Sequence, residues 1–212
     1  MLIKAENLGK KFRNEWIFRN LSLDFQSDQS YTFTGANGSG KSTLLQVLSG
    51  FIPQNEGNIS YFQSSESSDQ IRSDDFFKHL IIAAPYLELI EEFTLLELIE
   101  FHIKFKPFRE SLHTSDFIDF IELPAARNKE IKFFSSGMKQ RVKLGLAFWS
   151  DCGILMLDEP TSNLDAQASA WYLENVRKFS KDRILFICSN QPSEYEFCQN
   201  IHNIHTFKPG FA

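Results

Sequence analysis

Residues 35–43 combine glycine, lysine and hydroxyl residues in a pattern that suits phosphate binding. The segment reads Gly-Ala-Asn-Gly-Ser-Gly-Lys-Ser-Thr and fits G-x-x-x-x-G-K-[ST]. It follows the strand-like run Tyr31–Thr34 and precedes a helical pattern, which is the context that the motif requires. Glycines let backbone amides approach phosphate oxygens, and the N-terminus of the following helix adds partial positive charge. The expected binding residues are Gly35, Asn37, Gly38, Ser39, Gly40, Lys41, Ser42 and Thr43.

Lys41 and Ser42 have distinct expected roles at a nucleoside triphosphate. The Lys41 ammonium is expected to reach the β- and γ-phosphates and to act in catalysis, and the Ser42 hydroxyl is expected to coordinate Mg²⁺. A glycine-rich turn with a surface lysine is the alternative, and the strand, loop and helix context disfavours it. ATP and Mg²⁺ are therefore the expected cofactors.

An acidic pair follows a second apolar run, Ile154–Leu157. A run without alternation is typical of a strand buried on both faces of a parallel sheet, and its carboxyl end lies at the edge where the phosphates are expected. Asp158 is expected to hold Mg²⁺ through water, and Glu159 to polarise the attacking water as general base. Taken alone, the two acids also fit a solvated strand end.

A third element, residues 134–141, reads Phe-Ser-Ser-Gly-Met-Lys-Gln-Arg and opens a helical pattern. Ser135 and the Gly137 amide are expected to form a second small anion-binding nest. A single chain cannot readily bind one ATP with both the phosphate loop and this second nest. These residues resemble the Leu-Ser-Gly-Gly-Gln signature of ATP-binding cassette (ABC) ATPases in a relaxed form, with Phe134, Ser136 and Met138 at three of the five positions.

With Ser162–Asp165 at the position of the family's dimer-contact loop, the resemblance covers essentially the whole chain. It implies a head-to-tail dimer, in which the signature of one chain closes over ATP held by the phosphate loop of the other. It also implies that Phe12 stacks on adenine. The alternative for Phe12 is a place in the core, because the chain has 22 Phe.

Two departures from the family pattern matter for catalysis. The loop into the helical lobe usually carries a Gln that approaches Mg²⁺ and the attacking water, but here it reads Ala-Ala-Pro-Tyr over 83–86. The strand Ile184–Cys188 leads to Asn190 where the family has a histidine at the γ-phosphate. Asn190 can donate only a neutral hydrogen bond. We therefore expect hydrolysis through Glu159 that is slower by about tenfold.

The elements that must position these residues alternate between strands and helices. Residues 2–34 carry short apolar or alternating runs, which predict a β-rich start. Thr94–Glu97 fits a capping box at the start of a helix that runs toward Phe105, and a second short helix is expected over about 115–122. Further helical patterns lie near 137–149 and 166–180. The prediction is an α/β protein with a mainly parallel sheet and an inserted helical lobe.

The resemblance implies the ABC form of the P-loop NTPase fold, with an N-terminal antiparallel β subdomain. One domain is expected over 1–212, with the ATP-binding core over 1–86 and 151–212 and the helical lobe over 87–150. Residues 63–75 are expected to be a surface loop without function, because they are strongly polar.

Composition limits the function classes. A net charge of −5 disfavours direct nucleic-acid binding, since nucleic-acid-binding proteins normally show a basic face. No run approaches the roughly 20 apolar residues of a membrane helix, and the charged N-terminus does not fit a signal peptide. The number of cysteines is odd, and Cys152, Cys188 and Cys198 are therefore expected to be buried, reduced thiols of a cytosolic protein. A cytoplasmic location is expected, peripheral to the membrane through a partner chain.

The two C-terminal histidines and the phenylalanines of the helical lobe are both interpreted as structural residues in the first place. His202 and His205 are favoured as structural or exposed side chains over metal ligands, because no Cys or carboxylate cluster accompanies them. Phe101, Phe105 and Phe108 are favoured as core of the helical lobe over a docking surface. The docking alternative stays open, because that lobe receives the membrane subunit in transporters of the family.

The leading hypothesis is the ATPase subunit of an ABC membrane transporter. Its expected partners are a second ABC ATPase chain, identical or different, and separate integral membrane subunits. One alternative is a soluble ABC ATPase, for example in iron–sulfur assembly. Another is a nucleotide-gated regulatory subunit with slow hydrolysis, which the two departures suggest.

Overall fold

The computed structural model describes residues 1–64, 69–109 and 113–208. The strands are β1 Leu2–Phe12, β2 Glu15–Gln26, β3 Ser30–Thr34, β4 Glu56–Phe62, β5 Gln70–Ile71, β6 Leu80–Ala83, β7 Ile154–Asp158, β8 Ile184–Cys188 and β9 Asn200–Asn203. The α-helices are α1 Lys41–Leu48, α2 Ser73–Phe76, α3 Leu95–Phe105, α4 Thr114–Phe120, α5 Ser136–Trp149, α6 Ala166–Phe179 and α7 Pro192–Tyr195.

Two sheets organise the chain. An antiparallel sheet has the strand order β2-β1-β4-β5, and a parallel sheet has the order β6-β7-β8-β3-β9. Most of the described helices connect strands of the parallel sheet, as parallel pairing requires a crossover. The predicted fold class, a mainly parallel core with an antiparallel β subdomain and an inserted helical region, is confirmed.

The inner strand β7 lies between two clusters of the hydrophobic core, because successive side chains of a strand point to opposite faces. Ile154 and Met156 pack with α1 and the antiparallel sheet, whereas Leu155 and Leu157 pack with α5. All four side chains are buried, which explains why β7 shows no polar alternation. Helices α1 and α5 therefore lie on opposite faces of the parallel sheet.

The polar stretch 63–75 is more ordered than expected. Residues 65–68 lie outside the described part, but Gln70–Ile71 pair with the end of β4. The next residues form α2, whose Phe76 is buried and stacks on Tyr61 with ring centroids 3.5 Å apart. The expectation of a plain surface loop is wrong for 70–75, because one aromatic anchor fixes an otherwise polar segment.

The predicted helix from Thr94 toward Phe105 is confirmed. The Thr94 hydroxyl accepts a hydrogen bond from the Glu97 amide, and the Glu97 carboxylate accepts one from the Thr94 amide. This reciprocal capping satisfies two amides that a helix start leaves free. The second short helix is also present, over Thr114–Phe120.

The three phenylalanines of this region do not share one environment. Phe108 is buried, but Phe101 is exposed and Phe105 is 69% exposed, so the favoured core assignment is wrong for these two. Helix α3 buries Leu95, Leu98 and Ile99, and this spacing turns the face with Phe101 and Phe105 toward the surface.

The expected burial of the three cysteines is confirmed, and His202 has a packing partner. Cys152, Cys188 and Cys198 are free and buried. His202 stacks on Phe33 with ring centroids 5.6 Å apart, and burial lowers the pKa of the His202 imidazole. Within the described ranges no group of three or more His, Cys, Asp or Glu side chains is arranged to hold a metal ion. In the same ranges, no helix has the length and apolar character needed to cross a bilayer.

Candidate nucleotide-binding site

The phosphate loop connects β3 to α1 at the carboxyl edge of the parallel sheet. Its backbone requires glycine at residue 40, where φ is 110° and an added Cβ would collide with the side chain of Ile17. The contact with Ile17 also shows that the β1–β2 hairpin packs against the loop. The loop is therefore curled between α1 and the hairpin.

Lys41 is folded into the curve of this loop. Its ammonium donates hydrogen bonds to the carbonyl oxygens of Gly35 at 2.8 Å and Ala36 at 3.1 Å, and the residue is buried. An ammonium has three donors. Two are used by the loop, so one is left for a phosphate oxygen.

Asp158 ends β7 and is buried beside the loop helix. Its carboxylate lies near the Ser42 hydroxyl, and its Oδ1 has no hydrogen-bond partner among the described residues. Burial raises the pKa of Asp158 to about 6. The Ser42 hydroxyl and the Lys41 charge lower this pKa, whereas the Glu159 and Glu194 charges raise it further.

This pair fits a magnesium ion. A carboxylate and a hydroxyl are hard oxygen donors, and a buried carboxylate oxygen without a partner calls for a cation. Mg²⁺ commonly takes one or two protein ligands and completes its shell with substrate phosphates and water. Ser42 and Asp158 are therefore the residues that would hold it.

Glu159 turns the chain away from β7. Its φ is +44°, a left-handed value that is uncommon for residues other than glycine, and its amide donates to the Cys188 carbonyl at 2.8 Å. Such backbone conformations cost about 1–3 kcal/mol and cluster at functional sites. Here the turn keeps the half-buried Glu159 next to Asp158 at the sheet edge.

The signature residues and the contact loop form one continuous surface. Ser135 caps α5 and its Oγ accepts a hydrogen bond of 3.2 Å from the Met138 amide. A Cβ at Gly137 would lie 2.9 Å from the Asn163 carbonyl oxygen, so only glycine permits this close packing. A cavity of about 300 Å³ is bordered by Ser135, Gly137, Asn163 and Asp165.

Phe12 and Asn190 have different surroundings. Phe12, at the end of β1, is 50% exposed, so its alternative place in the core is wrong. The Lys10 ammonium lies over its ring, 5.1 Å from the centroid. Asn190 is exposed and donates from Nδ2 to Asn37 Oδ1 at 3.1 Å, which brings it to the phosphate loop.

The sequence profile described as ABC transporter matches residues 18–162, about two thirds of the chain. This segment runs from β2 through the acidic pair. The chain belongs to the ABC transporter family. It is an ABC ATPase domain, and the expected family and its ATP-binding ATPase character are confirmed.

Relatives and solved structures agree with this assignment. The chain is 30% identical over 171 residues to "Uncharacterized ABC transporter ATP-binding protein YybJ" of Bacillus subtilis (strain 168), covering 80% of this chain and 76% of the relative. It is 27% identical to the "Linearmycin resistance ATP-binding protein LnrL" of the same organism, with coverages of 94% and 65%. It superposes on the dimeric bacterial ABC transporter cassette MJ0796 with a TM-score of 0.79 and 22% identity, covering 95% of this chain and 94% of that one.

Some relatives are much longer than this ABC domain. The chain spans 65% of LnrL and 13% of "ABC transporter A family member 4" of Dictyostelium discoideum, to which it is 29% identical over 95% of its own length. The structural likeness, at 22% identity, shows the fold.

The sequence did not identify two polar residues of this ABC domain. Glu194 in α7 is buried, and its Oε1 accepts hydrogen bonds from the amide and hydroxyl of Thr161, which directly precedes the contact loop Ser162–Asp165. Tyr86 lies where the family glutamine is missing, and burial raises the pKa of its hydroxyl to about 12, with the Asp158 charge acting in the same direction. Glu194 gave no motif signal, whereas the unusual Ala-Ala-Pro-Tyr stretch was a signal that pointed to Tyr86.

Proposed function

We propose that this chain is the ATP-binding and hydrolysing subunit of an ABC transporter and acts as a head-to-tail dimer on separate membrane subunits. The observation that carries the proposal is the placement of α1 and α5 on opposite faces of the parallel sheet. The phosphate loop begins one of these helices and Ser135 caps the other.

Within one chain, the phosphate loop and the signature residues belong to helices on opposite faces of the sheet and do not meet at one ATP. A dimer can bring the two together. The loop side supplies the Lys41 ammonium and backbone amides, and the signature side supplies an exposed Ser135 hydroxyl and the first amides of α5. Both groups bind anions, because helix N-termini carry unpaired amides and partial positive charge. A second copy turned head to tail would bring its signature side onto the ATP held by the first loop.

Each residue then has a role in hydrolysis. Lys41 holds the β- and γ-phosphates, and Ser42 and Asp158 hold Mg²⁺, which supplies charge neutralisation at the phosphates. Glu159 accepts a proton from water as the water oxygen bonds to the γ-phosphorus and the bond to the ADP oxygen breaks. Asn190 donates a neutral hydrogen bond at the γ-phosphate, from its position beside Asn37.

The membrane partner is part of this proposal. Phe101 and Phe105 of α3 present two neighbouring exposed rings with centroids 5.0 Å apart, and Phe101 also packs edge-on against Phe93. Exposed apolar groups of this kind mark interaction surfaces. We assign this surface of the helical lobe, residues 87–150, to a separate membrane subunit, which would place the chain at the cytoplasmic face of the membrane.

Cysteine cross-linking tests the head-to-tail arrangement. Asn37 of the loop and Ser135 of the signature are both exposed, and the three native cysteines are buried, so background reaction is low. Asn37→Cys and Ser135→Cys are made in separate chains, mixed with Mg-ATP and treated with a short bifunctional maleimide. A product of twice the monomer mass is expected from the mixture, and much less from either variant alone. Equal cross-linking of either variant with itself would contradict the arrangement.

A second function, a nucleotide-gated subunit with little turnover, is favoured by one observation. Asn190 provides only a neutral donor where a charged histidine is usual in the family, and hydrogen bonds to charged groups are stronger. Steady-state ATPase rates of the wild type and Glu159→Gln separate the two functions. A large difference supports the hydrolysing subunit, and equal rates support the gate.

A further inference from the structure

Glu194 is a buried acid that has no part in the proposed hydrolysis steps. It lies in α7, shortly after the loop that carries Asn190, and only 1% of the residue is exposed. Its Oε1 accepts a hydrogen bond of 3.0 Å from the Thr161 amide and a second one from the Thr161 hydroxyl. Thr161 follows β7 and Glu194 follows β8, so these bonds join the segments that leave two adjacent strands.

The backbone of Glu194 is held from two directions. Its amide donates to the Gln191 carbonyl at 3.0 Å, and its own carbonyl accepts a hydrogen bond of 3.2 Å from the Tyr172 hydroxyl. Tyr172 belongs to α6 and is completely buried. The carboxyl group is therefore presented to Thr161 from a fixed backbone.

The contact loop, Ser162–Asp165, begins directly after Thr161. The Thr161 carbonyl accepts a hydrogen bond of 3.0 Å from the Leu164 amide, which closes a turn within the loop. Asp165 ends the loop as the N-cap of α6. The loop is thus anchored at one end by α6 and at the other end by the bonds between Thr161 and Glu194.

The contact loop also borders the cavity at the signature residues. This cavity of about 300 Å³ is lined, among others, by Ser135, Gly137, Asn163 and Asp165. The Asn163 carbonyl oxygen lies so close to Gly137 that an added Cβ would be 2.9 Å from it. A shift of the loop would therefore change the surface that meets the partner's ATP in a head-to-tail dimer.

The other carboxyl oxygen of Glu194, Oε2, is buried and has no hydrogen-bond partner among the described residues. An unsatisfied buried polar atom costs free energy, and an apolar side chain of similar size avoids that cost. Core packing alone would therefore favour an apolar residue at this position. What the acid adds is the acceptor Oε1, which the Thr161 amide and hydroxyl use.

We propose that Glu194 is a positioning residue for dimerisation, which holds Thr161 so that the contact loop keeps the shape that a second copy of this chain can join. The inference rests on the proposed function, because it concerns the head-to-tail interface. In this role Glu194 touches neither the nucleotide nor the reacting atoms. Its loss should weaken the association of two chains and leave the affinity of the phosphate loop for ATP unchanged.

The test measures two quantities in the Glu159→Gln background, in which bound ATP should persist. The first is the affinity for a fluorescent ATP analogue with Mg²⁺, at protein concentrations too low for dimerisation. The second is the dimer dissociation constant from sedimentation at saturating Mg-ATP. Adding Glu194→Leu is expected to keep the first and to raise the second about tenfold, because both bonds that hold Thr161 are lost.

Three further variants separate positioning from folding. Glu194→Gln keeps an Oε1 acceptor and should dimerise like the parent protein. Thr161→Val removes one of the two bonds from the other side and should raise the dimer dissociation constant about threefold. Glu196→Leu is the matched control, because Glu196 is exposed and only two residues away, and it should change neither quantity.

Each result supports or overturns the role of Glu194. Unchanged dimerisation in Glu194→Leu overturns it and leaves the proposed function intact. An equal loss of nucleotide affinity and of dimerisation also overturns it, because damage to the whole site would then explain both effects. If Glu194→Leu does not fold, Thr161→Val decides in the same way. A Glu159→Gln parent that binds Mg-ATP and stays monomeric contradicts the proposed function itself, and with it this role.

Discussion

The Gln140 side chain donates a hydrogen bond of 2.8 Å from Nε2 to the carbonyl oxygen of Pro160. Both residues are buried. This bond connects the signature helix directly to the turn that carries Glu159. The acidic turn is therefore attached to α5 by a buried hydrogen bond within one chain.

Replacing this glutamine should destabilise the protein. In Gln140→Leu the Pro160 carbonyl stays buried without its donor, which is expected to cost about 1–3 kcal/mol of unfolding free energy. Urea denaturation measures the change. Gln167→Leu is the control, because Gln167 is an exposed residue of α6 whose loss should change stability by less than about 0.5 kcal/mol. Equal stabilities of the two variants would show that the bond contributes nothing.

Asp158 is expected to reduce the stability of the nucleotide-free protein. Burial raises its pKa to about 6 from an ordinary value of 3.8, so keeping the carboxylate ionised above pH 6 costs free energy in the folded state relative to the unfolded state. Asp158→Asn has nearly the same shape without the charge, and we expect a gain of about 1–3 kcal/mol at pH 8 without metal. With saturating Mg-ATP the wild type should become the more stable protein, because ligand binding stabilises only the form that binds. A variant less stable than the wild type without ligand would contradict this.

The buried imidazole of His102 should make the folded protein less stable in acid. Burial, together with the Lys106 charge, lowers the pKa of His102 to about 4, and its Nε2 lies 2.8 Å from the Ser150 hydroxyl. The unfolded chain binds a proton near pH 6.5 and the folded chain only near pH 4. The unfolded state therefore holds more protons in between, and stability is expected to fall as pH drops from about 6.5 to about 4, by about 3 kcal/mol at the end of that range.

The His102→Gln variant checks the source of this effect. Glutamine can still bond the Ser150 hydroxyl but does not titrate, so its urea midpoint should decline less steeply over the same pH interval. An identical decline in the variant would assign the acid sensitivity to other groups.

Asn190→His should increase turnover. A charged imidazole donates a stronger hydrogen bond than an amide, by roughly 1–1.5 kcal/mol, which corresponds to about a five- to tenfold higher rate. Steady-state ATPase assays at saturating Mg-ATP measure it, and Asn190→Ala gives the rate with no donor. If Asn190→Ala matches the wild type, this residue has no catalytic part.

The sequence predicts best those features in which chemistry or local pattern dictates residue type. A phosphate loop needs its glycines and lysine at fixed spacing, so residues 35–43 are recognisable without a structure. The fully apolar run Ile154–Leu157 predicts a buried parallel strand for a similar reason. The capping box at Thr94 depends on residues only three apart, and its helix is present as predicted.

Features that depend on distant contacts could not be predicted. Thr161 and Glu194 meet only because they follow the adjacent strands β7 and β8, and neither residue type signals the contact. The strand Gln70–Ile71 has two residues and is fixed by the pairing with β4. The high Phe content favoured a core position for Phe105, but its place on α3 relative to Leu98 put it on the surface.

The central claim is that one ATP is held by two chains, and sedimentation of Glu159→Gln tests it most directly. This substitution keeps the shape of Glu159 but removes the general base, so bound ATP should persist. The account predicts a monomer without nucleotide and a dimer with saturating Mg-ATP, and a return to monomer when Ser135→Arg is added to the same chain. A Glu159→Gln protein that binds Mg-ATP to saturation and stays monomeric would contradict it.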